Sequence, residues 1–120
     1  MIPVKIELPD VLSGDTWDGL TIGPVSFNGG QPPHALQSCR LYLRDPKTKA
    51  LACGFKSDQT EGFGTIVIDD PAAWLVSIAA QPLPLAAGIY VWDYETTDVA
   101  GTVRTLYGGT IKVRQDVTHD

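Results

Sequence analysis

The chain has only two histidines and two cysteines among its 120 residues, and each scarcity closes off a kind of chemistry. His34 follows Pro32-Pro33 in a turn-rich stretch, and His119 is the penultimate residue. Neither stands with a serine or cysteine and a carboxylate in the manner of a catalytic triad, so both read as exposed and inert. Cys-x-x-Cys and His-x-x-x-His spacings, which would bring ligands to one metal ion, are missing. No catalytic residue, cofactor-binding residue or metal ligand is therefore expected, and the chain reads as a non-enzyme.

Positive charge is also in short supply. Nine lysines and arginines stand against fourteen acids, a formal net charge of -5. Lys5, Lys47, Lys49, Lys56 and the scattered arginines form no cluster along the sequence, whereas a nucleic-acid binder needs a patch that neutralises phosphates. No apolar run approaches the length that crosses a bilayer, and Met1-Ile-Pro-Val-Lys5 lacks the basic-then-apolar order of a signal peptide. The expectation is a soluble protein made in a cytoplasm, with neither nucleic acid nor membrane as a partner.

What the chain does have is turn punctuation and alternation. Twelve glycines and nine prolines are spread through a sequence that is 43% hydrophobic, which favours short strands over long helices. Pro3 to Leu8 alternates apolar and charged residues between Pro3 and Pro9 and reads as an edge strand. Trp17 follows as an anchor, then a strand from Leu20 to Phe27 broken or bulged at Gly23-Pro24. Asn28 to His34 is a surface connection, and Leu36 tucks into the core.

Ser38 to Arg44 is the clearest strand. Cys39, Leu41 and Leu43 point one way, and Arg40, Tyr42 and Arg44 the other. A turn at Asp45-Pro46 leads to a partner strand, Ala50 to Phe55. A hairpin centred near residue 47 sets Cys39 opposite Phe55 or Lys56 rather than Cys53, which argues for two buried thiols and against a disulfide. After the loop Gln59 to Gly64 comes a strand, Gly64 to Ile68. Asp70-Pro71 imitates a helix start, yet Trp74, Val76 and Ile78 alternate, so Trp74 to Ala80 is read as a strand.

Paired carboxylates raise the question of calcium. Asp15 and Asp18 flank Trp17, and Asp69-Asp70 are adjacent, but the ligand order of a calcium loop is missing and turn formation is the better reading. Gly29-Gly30 and Gly62-Phe-Gly64 lack the strand, spacing and helix of a phosphate loop.

The last two strands run from Ile89 to Tyr94 and from Thr102 to Val113. Tyr90, Trp92 and Tyr94 share one face and read as core residues, with a sugar-stacking platform as the alternative. Leu85-Ala-Ala-Gly88-Ile-Tyr90 has the form of a tyrosine corner, in which a tyrosine near the start of a late strand bonds back to upstream backbone. Gly108-Gly109 reads as a bend or bulge. The sum is one domain over residues 1–120: an all-β, immunoglobulin-like antiparallel β-sandwich of about seven to eight strands.

Several of these stretches carry a family resemblance. Trp17-Asp-Gly19, Gly29-Gly30-Gln-Pro32, Leu36, Cys39 to Arg44, Leu85 to Asp93, Leu106-Tyr-Gly-Gly109, Ile111, Val113 and Asp116-Val-Thr118 are similar to small phage and prophage proteins with an immunoglobulin-like sandwich. The N-terminal domains of phage baseplate adaptor proteins look alike too. Ala72 to Pro84 departs from that pattern. The resemblance implies a non-enzymatic virion structural protein, a docking or adaptor module of the tail, baseplate or neck. Its partners would be other virion proteins, with multiple copies in the particle. Contacts would fall on Met1 to Leu8 and Val113 to Asp120, then on Asn28 to His34. The competing expectation is a host-surface carbohydrate-binding module on the virion.

Overall fold

The computed structural model describes residues 4–5, 8, 11–12 and 16–114, with backbone alone at 4–5 and 11–12. Two layers of strands enclose the core, and no helix occurs among the described residues. The strands in chain order are β1 (Val4–Lys5), β2 (Val11–Leu12), β3 (Thr16–Trp17), β4 (Leu20–Ile22), β5 (Leu36–Arg44) and β6 (Leu51–Lys56), then β7 (Gly64–Thr65), β8 (Val67–Asp70), β9 (Leu75–Ile78), β10 (Gln81–Pro82), β11 (Gly88–Asp98) and β12 (Val103–Arg114). The main sheet has the order β1-β12-β11-β5-β6-β7, with β2 also on β12; the second is β4-β9-β8, and β10 pairs with β3. An all-β sandwich is thus the architecture, with more and shorter segments than the seven to eight anticipated.

Alternation explains the layer between the sheets. Leu41, Leu43 and Phe55 from the main sheet meet Val76 and Ile78 from the second and Trp74 just before it, and Trp92, Tyr94, Ile111 and Val113 complete the core. Burying one such aliphatic side chain contributes about 1.5–3 kcal/mol relative to leaving it in water. Tyr94 is fully buried with its hydroxyl unpartnered. Burial pushes its phenol far above the ordinary value, and the neighbouring Cys39 thiol adds to the shift. Trp92 Nε1 is likewise buried without a partner.

The tyrosine corner is present: Tyr90 Oη donates to the Ala86 carbonyl at 2.7 Å. Both cysteines are free thiols, Cys39 buried and Cys53 half-buried. Cys53 pairs with Leu43, while the Cys39 amide donates to Ser57 Oγ at 2.9 Å, so the hairpin is offset by a residue or two from the expected centre.

Several expectations are corrected. Val4–Lys5 lies against β12, but in parallel rather than antiparallel sense; the remainder of the predicted Pro3 strand is outside the described residues apart from Leu8. The strand expected over Leu20 to Phe27 breaks at Gly23-Pro24 as expected, but it does not resume: β4 ends at Ile22 and Phe27 keeps only a bridge to Gly30. Gly64 to Ile68 is not one strand of one sheet: β7 pairs with β6, and β8 with β9. Asp70 does cap, accepting from the amides of Ala72 (3.1 Å) and Ala73 (3.4 Å). The turn that follows ends at Trp74, whose φ of 55° breaks it before β9 begins. The bulge in the last strand pair falls between Tyr94 and Glu95, opposite Leu106, and not at Gly108-Gly109, which stay in register with Asp93 and Trp92.

Candidate binding surface

The outward face of the main sheet carries what the inward face excludes. Arg40, Tyr42 and Arg44 project outward from β5 because Leu41 and Leu43 must project inward. Register then chooses their neighbours: Lys56, Gly54 and Leu51 on β6, and Glu95, Asp93 and Val91 on β11.

Gly54 makes room for a ring. Phe63, from the loop after β6, stacks on Tyr42 with centroids 5.7 Å apart and planes 29° apart. A Cβ on Gly54 would lie 2.8 Å from the Phe63 ring and 3.0 Å from the Tyr42 ring, so no other residue fits beneath this pair without moving it. Cations close over both rings. Arg40 Cζ lies 4.2 Å and Arg44 Cζ 5.3 Å from the Tyr42 centroid, and Lys56 Nζ lies 4.5 Å from that of Phe63. Contacts of this kind are worth about 0.5–1 kcal/mol each where water has access.

Arg40 is the anchored member. Its Nε and Nη2 each donate to Glu95 at 3.0 Å, a fork that fixes the guanidinium plane. Partial burial disfavours its charge, but the Glu95 carboxylate outweighs that and holds the Arg40 pKa above its ordinary value. Arg44 Nη1 donates to the Lys49 carbonyl at 3.1 Å. Among the described residues Arg44, Lys49 and Lys56 form no ion pair with a carboxylate. In the connecting turn, the Asp45 carboxylate accepts from the amides of Lys47 (2.8 Å) and Thr48 (3.0 Å). The Thr48 and Lys47 amide bonds hold its pKa below the usual range.

The expectation of no basic cluster is therefore corrected. Residues 36–56 hold five of the nine cationic side chains and one of the fourteen acidic ones. These charges are already concentrated in one stretch of the sequence, and strand pairing sets Arg40 beside Lys56.

The residues singled out for other chemistry do not converge. His34 is exposed, and its carbonyl accepts from Trp74 Nε1 at 2.8 Å; His119 and Asp15 lie outside the described residues. Asp18 and Asp69 are exposed, Asp70 serves as the cap, and no three His, Cys, Asp or Glu side chains among the described residues are grouped to hold a metal ion. Trp92 and Tyr94 are buried in the core, so the face they share with Tyr90 is not an open sugar-stacking platform; Trp17 is half-buried and packs on Phe55 at 5.7 Å. Buried charge occurs instead at the end of β11, where Arg104 Nη1 donates to Asp98 at 2.9 Å and the Ala100 and Thr102 amides donate to the same carboxylate at 3.0 Å.

Fold and surface together define an all-β sandwich with a cationic, aromatic-braced hairpin on its outer face. No family model matches the chain, and no curated protein matches it. Among solved structures, the crystal structure of CopC from Methylosinus trichosporium OB3b is similar, with a TM-score of 0.48 and 12% identity over 92% of this chain and 89% of that one. The match goes to CopC and not to a virion protein, and the phage resemblance is corrected accordingly. With it go the tail, baseplate or neck assignment, the virion location, the virion partners in multiple copies, and the carbohydrate-binding alternative on a particle.

Proposed function

We propose that this protein is a non-catalytic binding domain that holds an acidic protein segment on the outer face of the β5–β6 hairpin. The observation that carries the reading is the array of Arg40, Tyr42, Arg44, Phe63 and Lys56 assembled over Gly54. Ring stacking and the Glu95 fork hold the array in place, so little side-chain freedom remains to be lost when a ligand arrives. Elsewhere the polar groups drawn together saturate one another, as Asp98 and Arg104 do, which supports a binding rather than a catalytic role.

A protein segment fits better than a nucleic acid. Asp93 and Glu95 sit among the cations, paired with Tyr42 and Arg40, where a continuous phosphate chain would meet them. Spaced carboxylates can avoid both and still reach Arg44, Lys49 and Lys56.

The test is calorimetric titration with a capped octapeptide alternating glutamate and valine. Binding should weaken as salt rises, and the double substitution Lys47→Glu with Lys49→Glu should weaken it at least tenfold. Lys112→Glu, two strands away on β12, should leave it within about twofold. Equal losses from both variants, or tighter binding of single-stranded DNA than of the peptide, would overturn the reading.

A further inference from the structure

Resting on that reading, we infer that the acidic segment binds as an added β-strand along the open edge of β6 between Leu51 and Cys53, its carboxylates turned to the outward face that carries the cations. The main sheet ends there unevenly. β5 pairs with one side of β6 from Leu51 to Lys56, skipping Ala52 at a bulge, but on the other side β7 reaches only Phe55 and Lys56. From Leu51 to Cys53 the edge has no strand on it among the described residues.

An open edge offers unpaired amides and carbonyls, and proteins ordinarily blunt such edges with charge, proline or a bulge. This one has a bulge, where the register shifts between Leu43 and Arg44. It has no proline, and its side chains remain accessible: Leu51 is 42% exposed, and Ala52 is exposed as well.

Charge selects the occupant. Lys47 and Lys49 lie at the turn end of the edge and Lys56 at the other, with Arg44 beside Leu51 on the outward face. An extended segment alternating acidic and apolar residues would turn its carboxylates to the outward face, where Arg44 and Leu51 lie, and its apolar side chains to the opposite face, beside Cys53. Backbone pairing supplies affinity, and the flanking charges supply selection.

The experiment separates the mode of binding from the site. The alternating octapeptide is compared with the same peptide carrying N-methyl groups on alternate amides, which keeps every charge and removes half the ladder donors. Strand addition predicts at least a tenfold loss of affinity for one of the two N-methyl registers. It also predicts slowed amide hydrogen exchange within residues 51–54 when the unmodified peptide is bound. Equal affinity of all three peptides, with no new protection, overturns strand addition and leaves the acidic-segment reading standing. Failure of the unmodified peptide to bind overturns both.

Discussion

Along β5 the inward residues Leu41 and Leu43 are each 2% exposed, whereas the outward Arg40, Tyr42 and Arg44 are only half-buried and shielded largely by one another and by Phe63. The inward row is held by water exclusion across two sheets. The outward row is held by a few directional contacts over one sheet. The first kind of packing depends on volume, and the second on register, because Tyr42, Gly54 and Phe63 meet only if β6 pairs where it does. The same contrast separates the two ion pairs. Asp98 is fully buried, whereas its partner Arg104, like Arg40 and Glu95, retains about a quarter to a third of its side-chain exposure.

The largest way to break the contrast is to empty the inward row. Leu41→Ala should cost about 2–5 kcal/mol of unfolding free energy, read from urea denaturation, through lost transfer energy and the cavity left behind. An effect below about 1 kcal/mol would mean that the two faces are not differently built.

Acid should act on the buried ion pair before it acts on the core. Burial works to raise the Asp98 pKa, but Arg104 and the amides of Thr102 and Ala100 outweigh it, and the native value is depressed. Its stabilisation is therefore fully present above the ordinary aspartate value of about 3.9 and is lost as pH falls through the native value. The denaturation midpoint should drop through this acid range, and Asp98→Asn should flatten that drop while lowering the midpoint at neutral pH. A variant with an unchanged acid profile would remove Asp98 from the account.

On the outward face, Gly54→Ala should cost about 1–2 kcal/mol by forcing Phe63 off the sheet, in the lower part of the range for overpacking. Unlike Leu41→Ala, it should also weaken peptide binding in proportion to the lost ring stack, with Tyr42 fluorescence reporting the displacement. The smallest effect belongs to the corner: Tyr90→Phe removes one exposed hydrogen bond to Ala86 and should cost about 1 kcal/mol or less, with peptide affinity unchanged.

The inward row and the tyrosine corner were legible in the sequence because both are local. Alternation from Cys39 to Leu43 is visible within one strand, and Tyr90 bonds to a carbonyl four residues upstream. Of the outward array, only Arg40, Tyr42 and Arg44 were legible, on the face opposite Leu41 and Leu43. Phe63 lies between glycines in a loop with no periodic signal, and Arg40 and Lys56 become neighbours only after a hairpin closes. The parallel pairing of β1 was hidden for the same reason, since alternation reports which face a residue takes and nothing about strand direction. Gly108-Gly109 misled in the opposite way. The sheet uses Gly108 for a close approach, where a Cβ would stand 3.2 Å from the Trp92 carbonyl oxygen, and places its irregularity at Leu106 instead.

One short stretch ties the two layers together. Gly64–Thr65 belongs to the main sheet and Val67–Asp70 to the second, with Ile66 between them, 2% exposed and its amide bonded to the Lys56 carbonyl at 2.9 Å. A shared rod of this kind makes the layers mechanically one body. Sliding one sheet over the other must tear the segment from β6 or from β9, so the sandwich cannot shear gradually and should yield as a single event.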